Sequence, residues 1–168
     1  MFNQSCALNK QQGFGMTEII VSMLVLGVAV IGFAALQIRA LDTTGEAMFR
    51  TQAMALAQDL GERIILNPDG ATTYKNWNTG STVNCETGNC TPADMAQYDI
   101  TGVIKLAQDT LPNGQITVLK CISQNNYCVY VSWNKTKPNA DAAADSCSQA
   151  DDRYVPGADC VKLETSLL

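Results

Sequence analysis

Three residues near the start of the chain have types and a spacing that could carry chemistry. Gly13 and Phe14 are followed four positions later by Glu18, which opens an uncharged apolar run, Ile19–Leu36. A carboxylate inside a membrane helix costs about 2.5–3.5 kcal/mol at the helix centre and less near the interface. The dipole of the first helical turn favours negative charge. Glu18 therefore either faces lipid headgroups or pairs with a cation at the same depth.

Cysteine is the second candidate chemistry. Six of the seven cysteines lie beyond residue 84, and an even set in an exported domain indicates disulfides. Six cysteines allow 15 pairings, and neighbours in the sequence suggest Cys85–Cys90, Cys121–Cys128 and Cys147–Cys160. Zinc binding is the alternative role for these cysteines, but the chain has no C-x-x-C pair and no histidine, which zinc sites commonly use.

Enzymatic function is not predicted. The chain lacks histidine, the commonest general base, and shows no nucleophile with a base, no glycine-rich phosphate loop and no carboxylate pair. We therefore expect no catalytic residue, no cofactor and no metal. The acidic groups Asp141/Asp145 and Asp151-Asp152 read as solvated loop charges, with calcium the weaker alternative because no spaced ligand loop is present.

Charge argues against nucleic acid as the main partner. The net charge is −5, and an acidic protein repels phosphate backbones. Lys135 and Lys137, beside Trp133, form the one basic cluster, and a solvated loop is the simpler interpretation of it.

The long apolar run is predicted to span a membrane. Ile19–Leu36 contains 18 residues without a charge, which gives a helix about 27 Å long, close to the thickness of a bilayer core. A buried core helix and a cleaved secretory signal are the alternatives. A cleaved secretory signal is disfavoured because no small-x-small cleavage site follows the run. Beyond Gln37 the pattern becomes amphipathic, and no proline interrupts it before Asn67-Pro68-Asp69-Gly70, which should end the helix.

The rest of the chain is predicted to be a small α+β head. We expect a polar loop over 68–92, then a helix from Ala93 to Leu111 that is broken or irregular near Ile100-Thr101-Gly102. Strands are predicted at Gln115–Ser123, Tyr127–Trp133 and Val161–Leu167, with Asn134–Ala150 as a loop. A turn at Gln124-Asn125 would place Cys121 opposite Cys128, Val118 opposite Val131 and Leu119 opposite Tyr130. One face is then shared by Ile116, Val118, Ile122, Tyr127, Val129, Val131 and Trp133.

The residues around Gly13 resemble the class III leader of type IV prepilins. In that family a membrane peptidase cuts after the glycine and methylates the new N-terminus, which implies a cut between Gly13 and Phe14 and methylation of Phe14. The leader, with Cys6, would remain cytoplasmic. The family's glutamate is thought to pair with the new amine of a neighbouring subunit, a role that falls on Glu18 here. The Cys147–Cys160 pair resembles the C-terminal disulfide loop of many pilins.

The segment Ala53–Pro68 is similar to the PilV family of minor pilins. The matching residues are Leu56, Ala57, Asp59, Leu60, Arg63, Asn67 and Pro68. The resemblance implies a type IV pilin fold, with a long helix on a small antiparallel sheet and a disulfide-stapled head. It divides the chain into a leader (1–13), a transmembrane and filament-core helix (14–38), an amphipathic half (39–67) and a periplasmic or extracellular head (68–168).

The same resemblance implies a subunit that primes assembly of a type IV pilus and is incorporated into it. Its partners would be other minor pilins, the major pilin, the prepilin peptidase and N-methyltransferase, the inner-membrane assembly platform and a tip adhesin. It would lie in the inner membrane and then the pilus of a Gram-negative bacterium. Two alternatives stay open: a minor pseudopilin of type II secretion, distinguishable by gene neighbourhood, and a displayed binding module for DNA or surfaces, which should show a basic face.

Overall fold

A computed structural model describes residues 13, 15–75, 83–121, 126–141, 143–151 and 153–166 of the chain. The described residues form three α-helices and three strands, with a 3₁₀ turn between the first two helices. Helix α1 runs over Met16–Leu66, 51 residues. The chain divides into two compact units, one ending at Thr44 and one beginning at Gly45, and each is described by itself.

The first unit contains the part of α1 whose side chains are exposed. All described side chains from Met16 to Asp42 are exposed. Its glycines and threonines do not interrupt the helix, and the hydroxyls of Thr43 and Thr44 donate to the carbonyls of Arg39 and Ala40, 3.0 and 2.7 Å away. The helix begins at Met16, and Phe14 lies outside the described residues.

The end of α1 is where the sequence predicted it. The helix stops at Leu66, before the Asn67-Pro68 pair that disfavours helix. The predicted polar loop over 68–92 is wrong at its start, because Pro68–Gly70 forms the 3₁₀ turn and α2 covers Ala71–Lys75. Tyr74 on α2 is buried, so this short helix contributes to the core.

Helix α3 spans Pro92–Thr110 without the break predicted near Ile100-Thr101-Gly102. Its start is fixed by a capping box, in which Thr91 accepts from the backbone of Asp94 and Asp94 accepts from the backbone of Thr91. Three core residues, Ile100, Val103 and Ala107, lie on one face across the expected break. Their burial outweighs the low helix propensity of the single glycine, Gly102.

Three antiparallel strands follow in the order β1-β2-β3, with β1 at Gln115–Lys120, β2 at Tyr127–Ser132 and β3 at Cys160–Thr165. The register of β1 and β2 differs from the prediction by two residues. Val118 is opposite Val129 rather than Val131, Leu119 is opposite Cys128 rather than Tyr130, and Cys121 lies past the end of β1. A slip of two residues keeps every side chain on its face, so the hydrophobic pattern could not distinguish the two registers.

The two faces of the sheet are covered by different layers. One face packs in a core shared with the second half of α1 and with α3; its large members include Leu60, Ile64, Val118, Val131 and Trp133. Ile122, predicted on this face, lies outside the described residues. The other face carries a second cluster of Cys121, Cys128, Tyr130, Cys147 and Cys160. The sheet therefore has one conventional helix layer and one layer built around cysteines.

Candidate functional site

The apolar surface of residues 16–44 is the first candidate site. The most apolar window of 18 residues in α1 has a mean hydropathy of 2.8, and none of it is buried. Large side chains such as Ile31 and Leu36 are 72% and 70% exposed. Removing this much apolar surface from water is strongly favourable, and the segment is long enough to cross a bilayer core. The segment suits a single-pass membrane anchor.

Glu18 lies in the first turn of α1, where the dipole favours a carboxylate. Its backbone N–H donates to Gly15 O at 3.0 Å, and its carbonyl accepts from the hydroxyl of Ser22 at 2.6 Å. The carboxylate is exposed and forms no ion pair with any described residue. Gly13 is exposed with open space around it, whereas Phe14 lies outside the described residues. The structure thus places Glu18 and Gly13 near the start of α1.

Asp99 is the centre of a polar network that the sequence analysis missed. Its Oδ1 accepts from Arg63 Nη1 at 2.7 Å and its Oδ2 accepts from the hydroxyl of Tyr74, also at 2.7 Å. Arg63 Nε donates to Asp59 Oδ1 at 3.0 Å. Only 8% of Asp99 is exposed, so its carboxylate depends on these donors. The network joins the end of α1, α2 and α3.

The pKa values of Arg63 and Tyr74 are both raised in this network, but burial acts on the two groups in opposite directions. Burial lowers the pKa of Arg63, but the hydrogen bonds from its guanidinium to Asp59 and Asp99 outweigh burial and raise it. Burial, followed by the hydrogen bond to Asp99, raises the pKa of Tyr74 well above its ordinary value. Both groups therefore keep their protons as donors to the carboxylates. One signal could have revealed the site: Asp99 is an acid on the otherwise apolar face of α3.

Asn67 and Gly70 hold the turn after α1 against the start of α3. The side-chain amide of Asn67 donates to Pro92 O at 2.7 Å, and the backbone carbonyl of Asn67 accepts from Gly70 N at 3.1 Å. A Cβ on Gly70 would lie 2.6 Å from Pro92 O, so a larger residue does not fit. The Asn-Pro-Asp-Gly run therefore fastens the end of α1 to the start of α3.

The six head cysteines lie in three disulfides: Cys85–Cys90, Cys121–Cys128 and Cys147–Cys160. Their Cα–Cα distances are 5.7, 5.2 and 5.7 Å, within the range that disulfides require. The middle pair forms as the sequence suggested, but the prediction that Cys121 lies directly opposite Cys128 was wrong, because Leu119 is opposite Cys128.

The basic cluster is partly neutralised within its own loop. Lys137 Nζ lies 2.6 Å from Asp145 Oδ2, and this hydrogen bond raises the pKa of Lys137 and lowers the pKa of Asp145. Arg153 and Asp151 form a similar ion pair. Within the described ranges, no group of three or more Cys, Asp or Glu side chains could hold a metal ion.

Part of the chain matches a known family model. The family model Tt1218-like, described as type IV pilin Tt1218, matches residues 35–101, about two fifths of the chain. This region contains the head half of α1 and every member of the Asp99 network. No curated protein and no solved structure matches the chain. The long N-terminal helix, the three-stranded antiparallel sheet and the disulfides make up a type IV pilin fold, and the match supports a structural pilin role in a pilus.

Proposed function

We propose that this chain is a PilV-like minor pilin that helps to prime assembly of a type IV pilus and is then incorporated into it. The observation that carries the proposal is the exposed, uncharged run Ile19–Leu36 of α1, which one carboxylate, Glu18, precedes in the first turn of the helix. The second half of the same helix packs into the buried core of the head. Such a subunit can reside in the membrane alone and later exchange lipid for neighbouring helices.

The proposal includes the processing of the N-terminus. The leader, 1–13, is removed between Gly13 and Phe14 by a prepilin peptidase, and Phe14 is N-methylated. Residues 14–38 then form the transmembrane and filament-core segment, 39–67 the amphipathic half and 68–168 the head. The head faces the periplasm of a Gram-negative cell before it reaches the pilus. Other minor pilins, the major pilin, the assembly platform and a tip adhesin are its partners.

Glu18 has a specific role in this proposal. An amine at Phe14 would enter a low-dielectric bundle, where an unpaired charge is costly. Glu18 supplies a negative charge in the first turn of the same helix. Pairing between the Glu18 carboxylate of one subunit and the Phe14 amine of its neighbour would remove that cost. The carboxylate is thus needed for assembly and not for anchoring.

The test of this role is Glu18→Ala, with Glu62→Ala as the matched control. Both variants remove one exposed carboxylate from α1, but Glu62 lies in the head half. We expect Glu18→Ala to reach the membrane at normal level, because the apolar run supplies insertion, and to enter pili poorly. Glu62→Ala should assemble normally. Fractionation and immunogold labelling measure both, and normal incorporation of Glu18→Ala would contradict the pairing role.

Processing is tested at the scissile bond. Gly13→Leu should block removal of the leader, because a bulky side chain prevents the peptidase from seating the bond. The same change at Gly88, an exposed glycine with open space around it, should leave processing intact. Mass spectrometry of the purified chain should find methylated Phe14 as the first residue. An intact Met1 on assembled subunits would refute the leader.

Two experiments test the minor-pilin and priming roles: a count of the copies in each filament and a deletion of the gene. We expect few copies per sheared filament by immunogold labelling and a loss of most pili when the gene is deleted. A major pilin would instead label along the whole filament. Pili that form in normal number in the deletion strain would remove the priming role, and a secretion defect in the same strain would identify a pseudopilin.

A further inference from the structure

A groove lies on the head between helix α1 and the part of the chain that leads into β3. It consists of two cavities of about 540 and 340 Å³, and both are lined by Arg50 and Tyr154. Residues 50–58 of α1 supply one wall of the larger cavity, and residues 154–161 contribute to both cavities. Because the cavities adjoin at Arg50 and Tyr154, they form one continuous surface, which we call the Arg50 groove.

Arg50 supplies the charge of this groove, since every other described residue that lines either cavity is uncharged. Among the described residues, its guanidinium forms one hydrogen bond, from Nη2 to the carbonyl of Ala158 at 3.5 Å, which is longer than usual. Its Nε lies 3.4 Å from Glu46 Oε1, but that oxygen accepts no hydrogen bond from the described chain. A guanidinium carries five N–H donors, so most donors of Arg50 are available to an anion.

Arg50 differs in this respect from Arg63, the other arginine in the head half of α1. Arg63 donates to two carboxylates over distances of 2.7 and 3.0 Å, so its charge is neutralised within the chain. The guanidinium of Arg50 instead lies over the ring of Trp133, 5.7 Å from the ring centre, and Trp133 is fully buried. A cation–π contact of this kind holds a guanidinium in place while its N–H donors remain available. Arg50 is therefore positioned as a binding group.

Exposed apolar surface flanks the cation along the groove. In the larger cavity Met54 is 37% exposed, and Tyr154, which lines both cavities, is 49% exposed. The hydroxyl of Tyr154 accepts from the backbone N–H of Lys162 at 2.9 Å, and this bond fixes the ring while its surface stays open. In the smaller cavity Gly157 has a φ of 78° and open space where a Cβ would lie. An occupant of the groove therefore meets one cation with apolar surface beside it.

We propose that the Arg50 groove binds an acidic peptide segment of a partner protein, in which an Asp or Glu lies among apolar residues. The carboxylate accepts hydrogen bonds from the guanidinium of Arg50, whose fork of donors matches a carboxylate. The neighbouring apolar side chains of the segment cover Met54 and Tyr154 and remove their surface from water. The inference requires only the folded head, so it stands or falls independently of the proposed function.

A lipid phosphate is the other anion that a guanidinium could bind in a membrane-anchored chain. Residues 37–50 of α1, which follow the apolar run, make about 21 Å of helix. The headgroup layer on each side of a bilayer core is only about 5–8 Å thick. Arg50 therefore lies too far along the helix for a lipid phosphate, and the apolar surface beside it favours a protein segment.

Selection from a random dodecapeptide library tests the chemistry of the occupant. The library is presented to the full-length chain in detergent, and the selected peptides are then measured against Arg50→Gln, Arg50→Lys and the control Arg153→Gln, an exposed arginine that does not line the groove. We expect peptides rich in Asp or Glu beside apolar residues. Arg50→Gln should weaken their binding about tenfold or more, because it removes a charge-assisted hydrogen bond.

The other two variants make this result specific. Arg50→Lys should weaken binding less than Arg50→Gln, since lysine keeps the charge but lacks the fork, and Arg153→Gln should leave binding unchanged. Selection of no peptide whose affinity depends on Arg50, or dependent peptides that lack an acidic residue, would overturn the proposal. So would an equal loss of binding in the Arg153→Gln chain.

Photocrosslinking in native membranes identifies the source of the carboxylate. The crosslinker p-benzoylphenylalanine replaces Met54, which lines the groove, or Leu106, an exposed residue of α3 that does not. Mass spectrometry should find the Met54 position joined to a protein segment that contains Asp or Glu, and Arg50→Gln should reduce this product several-fold. Any Leu106 product should not depend on Arg50. A lipid product at Met54, no product, or a product unaffected by Arg50→Gln would overturn the proposal.

Discussion

Residues 16–44 and residues 45–166 differ in whether the chain itself covers their apolar side chains. In the first region the helix leaves its apolar side chains exposed, and they require an environment supplied from outside the chain. In the second region Leu60 and Ile64, on the same helix α1, are fully buried against the sheet and α3. One continuous helix therefore carries both a surface that stabilises the fold and a surface that awaits a membrane or partner.

This difference separates stability from assembly along the sequence. Substitutions in the head half should change the free energy of unfolding, because their contacts lie within the chain. Substitutions in the exposed half should change insertion and association instead. The following predictions test that separation with chemically matched changes.

The largest effect is expected from the same substitution in the two halves. Leu60→Ala should lower the free energy of unfolding of the head by about 2–5 kcal/mol, because it removes a buried side chain and leaves a cavity. Leu36→Ala, at a position 70% exposed, should leave head unfolding unchanged. Guanidinium unfolding in detergent, followed by tryptophan fluorescence, measures both. Equal destabilisation by the two variants would break the comparison.

Within the head, the contribution of a disulfide to the free energy of unfolding should be larger when the loop it closes is longer and the pair is more buried. Replacing both Cys147 and Cys160 by serine should cost about 2–4 kcal/mol of unfolding free energy. The same change at Cys85 and Cys90 should cost roughly 1 kcal/mol less, because the loop closed is 5 rather than 13 residues and the pair is partly exposed. Thiol counting under denaturant, with an intact chain, should find no free thiol among the six head cysteines; two or more would refute the full set.

The smallest effect concerns the proton of Tyr74. Its pKa is raised in the folded state, so its contribution to stability is fully present below its ordinary value near 10 and is lost as pH rises through the higher folded value. Head stability should therefore fall above pH 10. Tyr74→Phe should cost about 1 kcal/mol at neutral pH and make that fall shallower. Asp99→Asn should also make it shallower, and an unchanged slope in both variants would exclude this hydroxyl as the cause.

The sequence predicted features that depend on local chemistry. Pro68 ends α1 because it lacks a backbone donor and restricts Asn67, and the alternation of β1 and β2 assigned each strand face correctly. Strand register was not predicted, because a slip of two residues preserves the pattern of faces. Asp99 was missed since its partners, Arg63 and Tyr74, are 36 and 25 residues away in the chain. Contacts at that separation leave no periodic signal.

The cysteine-lined layer has a consequence for how this protein can vary. Cys147 and Cys160 join the loop to the strand covalently, and together with Cys121, Cys128 and Tyr130 they cover the outer face of the sheet. Covalent attachment relieves the residues between them of the demand for a large apolar layer. The exposed positions of this loop can therefore change while the strands beneath keep their arrangement.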